Sequence, residues 1–234
     1  MILIGTSGYN YPEWKGAFYP AALRPAAMLG YYAERFTTVE INYSFYRTPT
    51  PAMVRAWALA TPASFVFTLK APKRITHDRR LHDVAHPVAL YLDAAAALGA
   101  KRGPLFFQLP PTFKKQTERL RDLLALVPGD LRCAFEFRHL SWFADDVYDT
   151  LRAHDAALCI ADTQAGATPD VATASWGYLR LRDVDYDDAQ LAAWGRTMQR
   201  PEWQDSYVYF KHEETASGPR LALRLREVLN NMGA

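Results

Sequence analysis

Cys133-Ala-Phe-Glu-Phe-Arg-His-Leu-Ser-Trp-Phe143 decides how this chain is read, because a run apolar enough to be buried carries Glu136 and Arg138 two residues apart. In a β-strand, residues i and i+2 share a face. The two charges therefore point one way and Phe135 and Phe137 the other, toward covering helices. A charge turned toward the inside of a sheet is costly unless it is paired or used. The same spacing recurs at Glu40 and Asn42 in Thr38-Val-Glu-Ile-Asn-Tyr43, and at Arg180 and Arg182 in Gly177-Tyr-Leu-Arg-Leu-Arg182. Three strands that end alike predict one shared polar site.

Outward from that stretch, apolar runs alternate with segments of helical spacing. Strands are expected at Met1–Gly5, Thr38–Ile41, Phe65–Lys70, Leu105–Leu109, Arg132–Phe137, Ala157–Ala161, Gly177–Arg182 and Tyr207–Phe210. Helices are expected at Pro25–Phe36, Pro51–Ala60 (with Met53, Val54 and Trp57 inward), Pro87–Leu98, Thr117–Val127, Ala144–His154, Ala189–Met198 and Pro219–Leu229. Only Thr168–Ala174 reads as irregular, and Asp78-Arg-Arg-Leu81 reads as solvated loop. Strict alternation over eight strands predicts an α/β fold, a (β/α)8 TIM barrel forming one domain over residues 1–234. A doubly wound sheet is the alternative but usually needs fewer strands.

The chain has 234 residues, half of them hydrophobic, with 27 basic and 25 acidic side chains and a formal charge of +2. That balance supplies no global field for nucleic acid or an anionic membrane, so nucleic acid is disfavoured as a partner and any anion site must be local. No apolar run approaches the roughly 18–20 residues that span a bilayer. Met1-Ile-Leu-Ile-Gly5 reads as a strand rather than a signal peptide, so the expectation is a cytoplasmic protein with no membrane partner. Cys133 and Cys159 fit no zinc spacing and are expected as reduced, buried thiols on strand faces opposite the polar residues.

In a TIM barrel, ligand and catalytic groups sit at the C-terminal ends of strands. The strands deliver there Thr6 and Ser7, Glu40 and Asn42, Lys70, Gln108, Glu136 and Arg138, Asp162, Arg180 and Arg182, and Lys211. Lys70, Arg138 and Arg182 together suggest an oxyanion clamp, since an arginine fork matches phosphate or carboxylate and lysine adds a point charge. The bland reading of Glu136 with Arg138, or of Glu40 with an arginine, is a buried ion-pair network that fixes the barrel's register. Gly5-Thr-Ser-Gly-Tyr9 would let backbone approach an oxygen-rich ligand, or would be a plain strand-to-loop turn. His77 follows the third strand. Tyr9, Trp14, Phe45, Tyr46 and Trp142 would form an aromatic wall, or pack on one another.

Several motifs recur together in one family. Gly5-Thr-Ser-Gly-Tyr9, Phe18-Tyr-Pro20, Val39-Glu-Ile-Asn42, Phe45-Tyr46, Ile75-Thr-His77, Phe107-Gln-Leu-Pro-Pro111, Glu136-Phe-Arg-His139, Ser141-Trp142 and Tyr178-Leu-Arg-Leu181 resemble the DUF72 family of YecE-like barrels over essentially the full chain. The resemblance implies a TIM barrel similar to xylose-isomerase-like and endonuclease-like barrels, with no settled activity. Many members look like Arg-Leu-His-Gly where this chain has Arg180-Leu-Arg-Asp183, and like Asn-Asn where it has Lys211-His212. Both replacements add positive charge near the mouth.

Two classes of function follow. The leading one is an enzyme, a hydrolase, isomerase or lyase, acting on a small anionic metabolite that carries phosphate or carboxylate. Its acid–base or catalytic groups would be Glu136, Asp162, Lys70 and Glu40. Gly5, Thr6, Ser7, Gly8, Tyr9, Asn42, His77, Gln108, Arg138, Arg180, Arg182 and Lys211 would bind the substrate. This reading needs no cofactor and no metal. A metal-dependent variant, implied by the isomerase-like barrels, would gather Glu40, Glu136, Asp162 and His77 around a divalent ion. The other class is a non-catalytic protein that binds a metabolite or single-stranded nucleic acid.

Overall fold

The computed structural model describes residues 1–162, 168–183, 185–211 and 216–233. Eight strands run parallel: β1 (Ile2–Thr6), β2 (Thr38–Ile41), β3 (Val66–Lys70), β4 (Arg102–Gln108), β5 (Cys133–Glu136), β6 (Ala157–Asp162), β7 (Trp176–Leu181) and β8 (Asp205–Phe210). They are ordered β1-β8-β7-β6-β5-β4-β3-β2. The seam between β1 and β2 is bridged by Ser7 beside Glu40, with the Gly8 N–H donating to the Glu40 carbonyl at 2.8 Å. The expected (β/α)8 barrel is the observed fold.

Helices α1 (Met28–Ala33), α2 (Tyr43–Tyr46), α3 (Pro51–Leu59), α4 (Ala85–Ala96), α5 (Thr117–Ala125), α6 (Asp145–Arg152), α7 (Asp188–Met198) and α8 (Ser217–Met232) follow the strands in the expected order, except that the one-turn α2 is not foreseen. Local chemistry starts several of them. Thr50 accepts from the Met53 N–H ahead of Pro51, and Asp187 and Gln190 form a reciprocal capping box on α7. Two packing expectations fail. Met53 is exposed while Val54 is fully buried, because the short α3 turns only one narrow stripe inward. Leu81 is buried at the end of the charged Asp78–Leu81 segment, which folds back so that the Leu81 N–H reaches the Ile75 carbonyl.

The apolar side chains separate into two cores, as a closed sheet requires. Phe67, Leu69, Leu105, Phe107, Cys133, Phe135, Leu158, Ile160, Leu179 and Leu181 face the helices. Leu3, Phe106, Ala134, Cys159, Ala161, Trp176, Tyr178, Tyr207 and Tyr209 fill the barrel's interior. The period of two is thus obeyed along every strand, and Glu136, two residues after Ala134, is delivered to the inside. Among the described residues no helix is long and apolar enough to cross a membrane.

Candidate functional site

The site stands on an aromatic and hydroxyl floor. Phe106 and Tyr178 stack with ring centroids 5.0 Å apart, and the Tyr209 hydroxyl is within 2.8 and 2.9 Å of the Thr38 and Thr68 hydroxyls. Arg180 lies above this layer, wholly buried, with its guanidinium carbon 4.8 Å from the centre of the Phe106 ring. One fork arm donates to Glu136 Oε2 at 2.5 Å and the other to Glu40 Oε1 at 3.0 Å. A single arginine therefore ties β7 to both β2 and β5 across the barrel.

Both carboxylates are saturated. Glu40 also accepts from the Ser7 hydroxyl and, on Oε2, from the Tyr178 hydroxyl at 2.6 Å. Glu136 Oε1 accepts from Gln108 Nε2 at 2.8 Å and Arg138 Nε at 2.9 Å, with Arg182 Nη1 at 3.6 Å. Burial alone would raise the Glu136 carboxyl, but Arg180, Arg138 and Arg182 outweigh it and hold the group well below the usual carboxylate range. Burial likewise opposes the charge on Arg180, and Glu40 and Glu136 override it, keeping the guanidinium charged. Both acids anchor cations and hydroxyl donors, and Glu136, held low by its arginines, is a weak base.

The rim above them is cationic. Arg138 and Arg182 spend part of their guanidinium groups on Glu136 and keep 31% and 23% of their side chains exposed. Lys70, at the end of β3, is 6% exposed and donates to Gln108 Oε1 at 2.9 Å. Its amine lies 4.3 Å from the centre of the Phe45 ring. Burial first, then the neighbouring Arg180 charge, lowers its pKa to about 7. His77 packs edge-on against Phe45 and bonds Thr76 Oγ1 through Nδ1 at 2.9 Å. Burial and the charge of Lys70 shift its pKa down. Asn42 donates to the Ser7 hydroxyl at 2.9 Å, and the Lys211 charge is felt at Lys70. His212 lies outside the described residues.

Other expected site residues are placed elsewhere or differently. Asp162 follows Ile160 in parity and points away from the interior, where Tyr186 donates to its Oδ2 at 2.9 Å; Cys159, not Asp162, faces inward. The Cys159 thiol thus shares the polar residues' face, contrary to expectation. The Gly5–Tyr9 loop offers little to a ligand, because its amides are spent: Thr6 on the Tyr32 hydroxyl, Ser7 on the Phe210 carbonyl and Gly8 on the Glu40 carbonyl. Its glycines serve closure instead. A Cβ at Gly5 would stand 2.2 Å from the Thr38 carbonyl oxygen, and Gly8 has φ +91°. Tyr9 packs toward Tyr32.

The aromatic wall divides likewise. Trp14 and Trp142 are buried in the outer core, the latter stacked on Phe137, and only Phe45 and the exposed Tyr46 remain beside the site. Tyr178 and Phe106 were not singled out from sequence. Tyr178 precedes Arg180 by two residues, so strand parity alone would have placed it directly beneath.

The metal-dependent alternative does not fit this donor set. Arg180 occupies the space between Glu40 and Glu136, Asp162 faces outward, and among the described residues no three histidine, cysteine or acidic side chains are grouped to hold an ion.

Comparison with known proteins agrees with the architecture. Residues 3–234 match the family model described as "Protein of unknown function DUF72". The UPF0759 protein YunF of Bacillus subtilis (strain 168) is 29% identical over 157 residues, a stretch covering 64% of this chain and 55% of YunF. The chain's match thus spans about half the length of that relative. A DUF72 family protein of Enterococcus faecalis V583 superposes with a TM-score of 0.81 at 19% identity, covering 98% of this chain and 96% of the other. One from Thermotoga maritima MSB8 gives 0.74 at 23% identity, covering 98% and 99%. With the motifs, the barrel and a family model that spans all but its first two residues, this chain belongs to the DUF72 family.

Proposed function

We propose that the C-terminal mouth of this barrel binds a small phosphorylated or carboxylated metabolite and acts on it. The observation that carries this reading is the buried Arg180 bridge. By engaging both Glu40 and Glu136 it leaves Lys70, Arg138, Arg180 and Arg182 gathered around those two carboxylates among the described residues. Excess positive charge held in a poorly solvated pocket is costly to the apo protein and favours an anion. Arg138 and Arg182 supply planar donors for that anion, and Glu136 fixes their direction.

Lys70 is the group suited to chemistry. An amine that loses its proton near neutral pH exchanges protons or attacks an electrophile, whereas Glu40 and Glu136 are committed as acceptors. Phe45 covers it on one side.

The test is a thermal-shift and calorimetric screen of phosphoesters and small carboxylates at moderate salt, run on wild type and Arg138→Ala beside urea unfolding of both. Saturable stabilisation that weakens by roughly 1.5–3 kcal/mol in Arg138→Ala supports the reading. A variant that loses several kcal/mol of folding stability while affinity in the folded fraction is unchanged would make the pair a register lock and end it. Tight binding confined to single-stranded nucleic acid, with steep salt dependence, would point to the binding-protein alternative.

A further inference from the structure

The strand-end lysine differs from every other charge in the barrel interior. Arg180, Glu40 and Glu136 each have an opposite charge within 3.0 Å. Lys70 has none: among the described residues no carboxylate oxygen lies within 4.0 Å of its Nζ, and its hydrogen bond goes to a neutral amide oxygen. The orientation of that amide is fixed, because Gln108 Nε2 is committed to Glu136 Oε1. Buried lysines are normally paired. Here the cations that act on it are Arg180 from β7 and Lys211 after β8. The facing acids, Glu40 on β2 and Glu136 on β5, are both engaged by Arg180.

Resting on the anion-site reading above, we propose that Lys70 is a covalent nucleophile, whose amine condenses with the carbonyl of a small aldehyde or ketone bearing a phosphate or carboxylate. The geometry supplies what that step needs. The Nζ lone pair adds to the carbonyl carbon, and the carbonyl π pair moves to oxygen, which takes up the proton released from nitrogen. The resulting carbinolamine expels its hydroxyl with a further proton as water, leaving a C=N bond, so one water leaves for each imine formed. Arg138 and Arg182 hold the anionic end so that the carbonyl is presented to the amine. Apolar cover from Phe45 keeps the amine poorly solvated, as a nucleophilic lysine requires. Once protonated, the imine withdraws electrons from the adjacent carbon, which suits cleavage of a C–H or C–C bond there.

The experiment is reductive trapping of the full chain near neutral pH. Pyruvate, dihydroxyacetone phosphate and uncharged dihydroxyacetone are each supplied with sodium cyanoborohydride, followed by intact mass and peptide mapping. The expected result is one adduct per chain, on the peptide containing Lys70, formed roughly ten- to a hundredfold more readily by a charged carbonyl than by the uncharged one. Inorganic phosphate should suppress it, Arg138→Ala should reduce trapping toward the uncharged level, and Lys70→Met, with a cooperative melt, should abolish it. Pyruvate and dihydroxyacetone phosphate separate a carboxylated from a phosphorylated substrate. Adducts scattered over exposed lysines such as Lys15 and Lys114, with Lys70 unmodified, would overturn the proposal. If phosphate stabilises the protein but Lys70 is not trapped, the imine is refuted and the anion site stands. Trapping at Lys70 that is equal for charged and uncharged carbonyls and indifferent to phosphate would uphold the nucleophile and refute the anion site.

Discussion

Replacing Lys70 by methionine is expected to make the protein more stable, and to do so only below alkaline pH. The folded state depresses this amine from its ordinary 10.5 to about 7. Between those values the unfolded chain binds a proton that the folded chain does not, so stability rises with pH across the window. The cost is fully present below about pH 7 and fades as pH approaches 10.5. At about 1.4 kcal/mol per pH unit the depression sets an upper bound of roughly 5 kcal/mol. Methionine keeps most of the stem's packing but leaves Gln108 Oε1 without its donor, which returns about 1 kcal/mol. The expected gain is therefore roughly 2–4 kcal/mol near pH 6, giving way above about pH 10 to a deficit of about 1 kcal/mol. Urea unfolding of wild type and variant across that range measures it. A variant less stable than wild type near pH 6, or a gain that does not change with pH, would refute the reasoning that Lys70 is an unpaired, desolvated cation.

Arg180→Leu should cost about 3–5 kcal/mol near neutral pH, because it strands two buried carboxylates. The loss should narrow in acid. Glu136 is depressed in the folded state, so the stability it confers is complete above its ordinary pKa and disappears as pH falls below it; chemical denaturation over the acid range reads this out. Arg138→Lys should fail to restore ligand affinity in calorimetry, since an ammonium lacks the planar fork that Glu136 orients. Both thiols should resist Ellman's reagent until the chain unfolds: burial pushes Cys133 up to about 12 and holds Cys159 well above the ordinary thiol value. Intact mass without reductant should show two free thiols, because Cys133 faces the helices and Cys159 the barrel interior, a geometry that no disulfide spans.

The barrel was legible because its inner and outer faces differ in chemistry on most strands. Glu136 and Arg138 alternate with Phe135 and Phe137, and Arg180 and Arg182 alternate with Leu179 and Leu181, so period two names the inward residues without coordinates. Strand β6 was the exception. In Ala157-Leu-Cys-Ile-Ala-Asp162 both faces are apolar, and the terminal aspartate invited the wrong assignment. Only pairing of Ala161 with Arg180 places Cys159 and Ala161 inside and Asp162 out. The glycine loop misled for a different reason. A backbone that approaches a ligand and one that approaches a neighbouring strand call for the same residue, and the closeness of Gly5 to Thr38 is a long-range fact that local pattern does not carry. The cluster's composition was legible, but its hierarchy was not. Arg180, Arg138 and Arg182 look equivalent in sequence, yet only Arg180 is sealed beneath the mouth and consumes both acids.

The mouth is proposed here as an anion site built on the Arg180 bridge. Its most direct test is the anomalous scattering of tungstate, a heavy mimic of phosphate, in crystals of the full chain. An anomalous peak is expected within hydrogen-bonding distance of Arg138 and Arg182 and beside Lys70, removable by competing phosphate. Tungstate found only on the outer surface, with Arg138 and Arg182 turned away from the mouth, would contradict it.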